Sequence, residues 1–189
     1  MISIQFHDIP LEKRVASHKQ GELLDIKTVR LHPDFPDKVW VVVEQPANEE
    51  YRLAYDPVQE TFVRTKIKCL SYARGFSGAY GWIGGLGTPP QKHFDVFLVT
   101  KREFQAGDIV LGHICGIFYR RDGDHKLVAL DADLITTVKR ADLLCFDKTT
   151  YTEVTILYPE VGENEGWYGA EEARSYLKRI QSQNLNLSV

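Results

Sequence analysis

Long apolar runs are absent from this chain. The longest, Val39-Trp40-Val41-Val42-Val43, has the length of a strand. It falls far short of the ~20 residues that cross a bilayer, so no membrane partner is expected. Cysteine is scarce. Cys69, Cys115 and Cys145 are odd in number, far apart, and form no Cys-x-x-Cys, which leaves no zinc knuckle and no disulfide framework. The first residues, Met1 to Pro10, lack the basic-then-apolar order of a signal peptide, and a reducing, cytoplasmic location is expected. Excess charge is missing too, with 23 Lys and Arg against 26 Asp and Glu. Proteins that live on phosphate backbones are usually basic. Trp40, Trp82 and Trp167 are scattered rather than grouped as a stacking surface. Nucleic acid is therefore not an expected partner.

What is present suits one globular domain. A length of 189 residues with 43% hydrophobic content is enough for a core without staples. Strands are predicted at Val39 to Gln45, Tyr51 to Tyr55, Thr61 to Ile67, Phe94 to Thr100, Ile109 to Tyr119 and Lys126 to Leu130. Asp56-Pro57, Gln105 to Asp108 and Arg121 to Asp124 supply turns between them. Short strands at this spacing suggest a sandwich or a small closed barrel. Helical spacing is clear at Ala170, Ala173, Tyr176, Leu177 and Ile180. Glu171 and Glu172 open that helix, and Lys178 and Arg179 are expected in its last turn. Val138 to Phe146 reads as a shorter helix, and 181–189 as a frayed tail. The glycine-rich stretch from Gly75 to Gly87 reads foremost as a long surface loop and otherwise as backbone free to approach a ligand closely; it has no Walker pattern.

Six segments then fall in a telling order. Val41-Val42-Val43-Glu44-Gln45-Pro46-Ala47-Asn48 is similar to a V-V-V-E-I-P-A-N strand, and Tyr80-Gly81-Trp82-Ile83 to N-Y-G-F/Y-I. Asp95 to Val99 resembles the D-V-L-V after an acidic signature, and Ala106-Gly107-Asp108 a turn that follows. Gly116-Ile117 with Asp122 to Ala129 resembles G-x-x-x-M-x-D-E-x-G-E-D-x-K-x-x-A-V, and Gly166 to Ala173 resembles G-W-E-G-A-E-E-A. Together they resemble the soluble inorganic pyrophosphatases over roughly 39–180. The resemblance implies a mainly β fold, an OB-like small β-barrel with a packed C-terminal helix. It implies an N-terminal extension over 1–38, a homo-oligomer, and carboxylates holding Mg²⁺ that activates water against diphosphate.

Carried over residue by residue, the resemblance is incomplete. The D-x-D-P-x-D signature aligns with Pro90 to Asp95, so only Asp95 survives, with Pro90 and Lys92 in the acidic places. Asp124 and Lys126 match the later D-x-K, and Glu44 matches an acid near the metal site. Asp95, Asp124 and Lys126 are the implied catalytic residues. Arg52, Lys68, Tyr80, Lys92, Arg121 and Tyr158 are the implied ligand-binding ones. Ala54 and Phe76 replace an acid and a tyrosine. Glu44, Asp95 and Asp124 are candidate metal ligands, joined by His93, which shares a strand face with Asp95 at i, i+2. One divalent cation is expected at most, Mg²⁺ or, with His93, Mn²⁺ or Zn²⁺.

Cations are kept while metal carboxylates are depleted. The leading expectation is therefore a divergent member that binds diphosphate, a phosphorylated small molecule or another anion, with weak or absent Mg²⁺-dependent hydrolysis. A working diphosphatase with rearranged metals is one alternative. A non-catalytic scaffold reusing the barrel is another.

Overall fold

A computed structural model describes residues 25–135 and 148–186. The helix expected at Val138–Phe146 lies outside the described residues, as do Cys145 and residues 1–24 of the expected extension.

Valine-rich alternation makes β1 (Lys38–Gln45) a strand buried on both faces. It pairs antiparallel with β4 (Ala79–Ile83) on one side and with β6 (Ile109–Tyr119) on the other. The circuit continues through β5 (Asp95–Val99) and β7 (Lys126–Asp131), giving the order β1-β4-β5-β7-β6 and closing on β1. Closure leaves these five strands without an open edge. The barrel interior holds Val39, Val41, Val43, Val96, Leu98, Ile114, Leu127 and Ala129. Helix α4 (Ala170–Asn186) adds Ala173, Leu177 and Ile180 to the same core. A buried side chain of leucine size contributes about 1.5–3 kcal/mol, so this helix is held by packing. It runs past Ile180 because 181–186 contain neither glycine nor proline to stop it. Lys178 and Arg179 thus fall in mid-helix rather than in its last turn.

The outer face of the barrel is also covered. The hairpin β2 (Tyr51–Asp56) and β3 (Thr61–Lys68) lays Leu53, Tyr55 and Phe62 against Val42 and Trp82, with Ile26 and Val29 in the same cluster. Phe97, Val99, Val128 and Leu130 meet Phe76, Val154 and Leu157. Those partners come from the segment after α1 (Leu70–Ala73) and from around α3 (Lys148–Thr155). The short α2 (Ala132–Ile135) follows β7, and β8 (Gly166–Gly169) pairs with the end of β6.

One sequence expectation needs correction. The stretch from Gly75 to Gly87 is not a surface loop throughout, since its middle is the barrel strand β4. Glycine here serves close approach: a Cβ on Gly81 would lie 1.8 Å from the Val42 carbonyl oxygen. A glycine count reads as loop, whereas strand packing uses the missing side chain.

Candidate active-site cleft

Strand parity assembles a polar cluster on the barrel's outer face. In parallel β5 and β7, Val96 is paired with Leu127. One step back, Asp95 and Lys126 stand side by side at the strand starts, facing away from the interior. Lys126 donates to Asp95 Oδ2 and, at 2.8 Å, to Asp124 Oδ2. His93 Nε2 lies 3.1 Å from Asp95 Oδ1, and the Tyr80 hydroxyl also bonds Asp95. β1 carries a bulge here, because the register with β4 shifts between Val43 and Gln45. Glu44 is the extra residue, and the bulge turns it out of the barrel ladder into the cleft.

The cleft encloses about 570 Å³. Glu44, Asp95, Asp124 and Lys126 line it from the barrel side, and Arg52 and Lys68 from the hairpin. Arg120, Tyr80, His93 and Tyr158 complete its polar lining, with Gln45 in its wall. Lys126 Nζ is 5.9 Å from the Tyr80 ring centre, and the Arg120 guanidinium is 5.8 Å from that of Tyr158. Tyr158 itself stacks on Phe118 at 4.6 Å.

Protonation follows from these contacts. Burial pushes the Asp95 carboxyl up, but the bonds from His93 and Lys126 outweigh it and hold it at about 2. His93 is raised, first by its bond to Asp95, and its Nδ1 meets the Gln91 carbonyl at 2.7 Å. Both ring nitrogens face acceptors, an arrangement that favours the protonated ring. Glu44 goes the other way: burial raises it to about 7, partly offset by Arg52. Burial also lifts Tyr80 well above the ordinary phenol range. Gln45 is 2% exposed; its Nε2 donates to the Leu53 carbonyl at 2.7 Å, and its Oε1 has no partner among the described residues. The Leu53 carbonyl accepts only from the amide nitrogen, so the orientation of the amide is set.

Two implied ligand-binding residues stand elsewhere. Lys92 is exposed, with its ammonium 5.7 Å from the Phe94 ring centre, and does not line the cleft. Arg121 is exposed, its backbone N–H donates to Glu165 Oε1 at 3.2 Å, and it does not line the cleft either. Arg120 takes that place, bonding Asp122 at 2.6 Å and Asp124 at 3.5 Å. Strand alternation carries the signal that points to Arg120: it shares parity with outward-facing Phe118, and Arg121 does not. Lys68 lines the cleft but is 69% exposed and pairs with Glu50 at 3.0 Å. Phe76 is buried edge-on against Phe97. Arg52 is exposed, and among the described residues no carboxylate forms an ion pair with it.

The donor set does not fit a metal clamp. Among the described residues no group of three or more His, Cys, Asp and Glu side chains is placed to hold a metal ion. His93, Asp95 and Asp124, expected as metal ligands, are linked here through the His93–Asp95 contact and the bonds from Lys126. Both ring nitrogens of His93 are engaged, by Asp95 and by the Gln91 carbonyl, and the Lys126 ammonium bonds both aspartates.

Comparison with solved structures gives consistent neighbours. An inorganic pyrophosphatase from Thermus thermophilus superposes with a TM-score of 0.62 at 17% identity, covering 85% of this chain and 98% of that one. One from Ehrlichia chaffeensis gives 0.62 at 16%, covering 81% and 99%. One from Helicobacter pylori gives 0.61 at 20%, covering 82% and 98%. The chain has the inorganic pyrophosphatase fold. No family model matches the sequence, and no curated protein does. Within this pyrophosphatase fold, the cleft lies where β2–β3 faces β4, β5 and β7. No helix among the described residues is long and apolar enough to cross a membrane.

Proposed function

We propose that the cleft binds a phosphorylated or other anionic small molecule, and that Mg²⁺-dependent diphosphate hydrolysis is weak or absent. The observation that carries this reading is the double engagement of Asp95. His93 holds one of its oxygens and Lys126 the other. A divalent cation would have to displace an ammonium from a buried carboxylate before it could coordinate. A bound cation would supply a water made acidic enough to attack at neutral pH. An ammonium cannot do this. It neutralises charge on a phosphoryl group but generates no hydroxide.

Arg52 is placed to receive the anion. It is exposed, lines the cleft and has no ion-pair partner among the described residues. Its planar fork matches two phosphate oxygens at once. Arg120 and Lys126 already share acidic partners and add positive potential behind the site. Glu44, buried and held near neutrality, meets a protonated phosphate oxygen with less repulsion than a fixed carboxylate would exert.

A second reading is favoured by the fold itself, because solved neighbours named as inorganic pyrophosphatases are covered almost end to end. In that reading Glu44, Asp95 and Asp124 rearrange around Mg²⁺ while Arg52 and Lys126 hold phosphate. Calorimetric titration with inorganic phosphate, with and without Mg²⁺, separates the two. Metal-independent binding that weakens about tenfold in Arg52→Ala supports the first. Binding that appears only with Mg²⁺ supports the second.

A further inference from the structure

The cleft has a wall that inorganic diphosphate cannot use. Ile67 and Leu70 are 61% and 42% exposed, and both line it. Pro90, also exposed, lines it from the loop before β5. Exposed apolar side chains scattered singly need no explanation. These three line the same cleft as Arg52, which therefore offers apolar as well as charged walls.

Charge points the same way. Four Lys and Arg side chains, Arg52, Lys68, Arg120 and Lys126, share the described lining with His93 and with the acidic side chains of Glu44, Asp95 and Asp124. Most of that positive charge is already spent internally, on Glu50, Asp122, Asp124 and Asp95. A phosphomonoester brings about −1.5 to −2 at neutral pH. Diphosphate brings a second phosphoryl group, and among the described lining residues no Lys or Arg besides Arg52 lacks an ion pair with which to meet it. From this geometry, and resting on the anion-binding reading above, we infer that the ligand is a phosphomonoester with an apolar or aromatic body. Its phosphate sits at Arg52 and its body lies against Ile67, Leu70 and Pro90. Small ligand sites of this kind combine apolar walls with a few orienting polar groups.

The test is isothermal titration of the full chain, without added metal, with phenyl phosphate, glycerol phosphate, inorganic phosphate and diphosphate. Burying about 55 Å² of apolar ligand surface multiplies affinity about tenfold. Phenyl phosphate is therefore expected to bind at least about tenfold tighter than glycerol phosphate, and tighter than diphosphate. Ile67→Ser and Leu70→Ser, made singly, should narrow that gap while leaving the affinity for inorganic phosphate unchanged. Both positions are exposed, and an unaltered melting temperature checks that the fold is kept. Equal binding of phenyl and glycerol phosphates, or tightest binding of diphosphate, overturns this inference and leaves anion binding standing. No binding of any of the four probes overturns both.

Discussion

Glu44 offers a perturbation whose sign and size follow from its place at the β1 bulge. Its carboxyl is buried and sits at about 7, against an ordinary 4.5. The unfolded chain ionises Glu44 near the ordinary value; the folded chain holds the proton until about pH 7. Below pH 4.5 both states are protonated and Glu44 costs nothing. Between 4.5 and 7 only the unfolded state loses its proton, so stability falls as pH rises. A gap of this size corresponds to about 3 kcal/mol once pH exceeds 7. Glu44→Gln keeps the shape of the protonated acid and removes the titration. Urea denaturation of both proteins from pH 4.5 to 8.5 measures the difference. The variant should match the parent at the acid end and exceed it by about 3 kcal/mol at the alkaline end, with the divergence confined to that window. A constant difference across pH, or a variant that is weaker at pH 8.5, would refute the burial argument.

Asp95 titrates with the opposite sign. Held at about 2 against 3.8, it contributes about 2 kcal/mol above pH 3.8 that is lost as pH falls through 2; Asp95→Asn should flatten that acid limb in a pH-dependent melt. Lys126→Met takes the ammonium from buried Asp95, leaving only His93 beside it, and should cost about 3 kcal/mol, while Lys126→Met with Asp95→Leu should cost less than Lys126→Met alone, as a double-mutant cycle would read. Arg102 forks onto fully buried Asp131 at 2.7 Å through both Nε and Nη2; Arg102→Ala should lose about 3 kcal/mol by chemical denaturation. Arg52→Ala should leave stability within about 0.5 kcal/mol and weaken phosphate binding about tenfold by calorimetry.

Much of the barrel was legible because its strands carry the period-2 code in β-branched residues. Val39 to Gln45 and Ile109 to Tyr119 fall within a residue of their observed bounds. β4 was not legible, since the glycine that lets it approach β1 counts as loop in any composition argument. β8, Gly166–Gly169, has only four residues and glycine at each end, and its strand character comes from pairing with β6. Within the cleft, the ordered motifs point to Glu44, Asp95, Asp124 and Lys126; strand parity places Asp95 beside Lys126, while Glu44 arrives through the bulge in β1. Lys92 was assigned by alignment to a lost acid, yet its side chain lies over Phe94, because one residue along a chain can redirect a side chain entirely. The saturation of Asp95 by His93 and Lys126 depends on three-dimensional distances, and no spacing in the chain encodes it. Ile67 and Leu70 carried no signal at all, since an exposed apolar residue means nothing until its neighbours are known.

Phosphate release from diphosphate with saturating Mg²⁺, measured beside an intact inorganic pyrophosphatase at equal concentration, addresses the central claim most directly. Turnover at least about a hundredfold lower is expected, in line with the loss of groups that orient and charge a reaction centre. Turnover by the unmodified chain equal to that of the intact enzyme would contradict the account. It would mean that Lys126 gives up Asp95 to a metal ion at no cost.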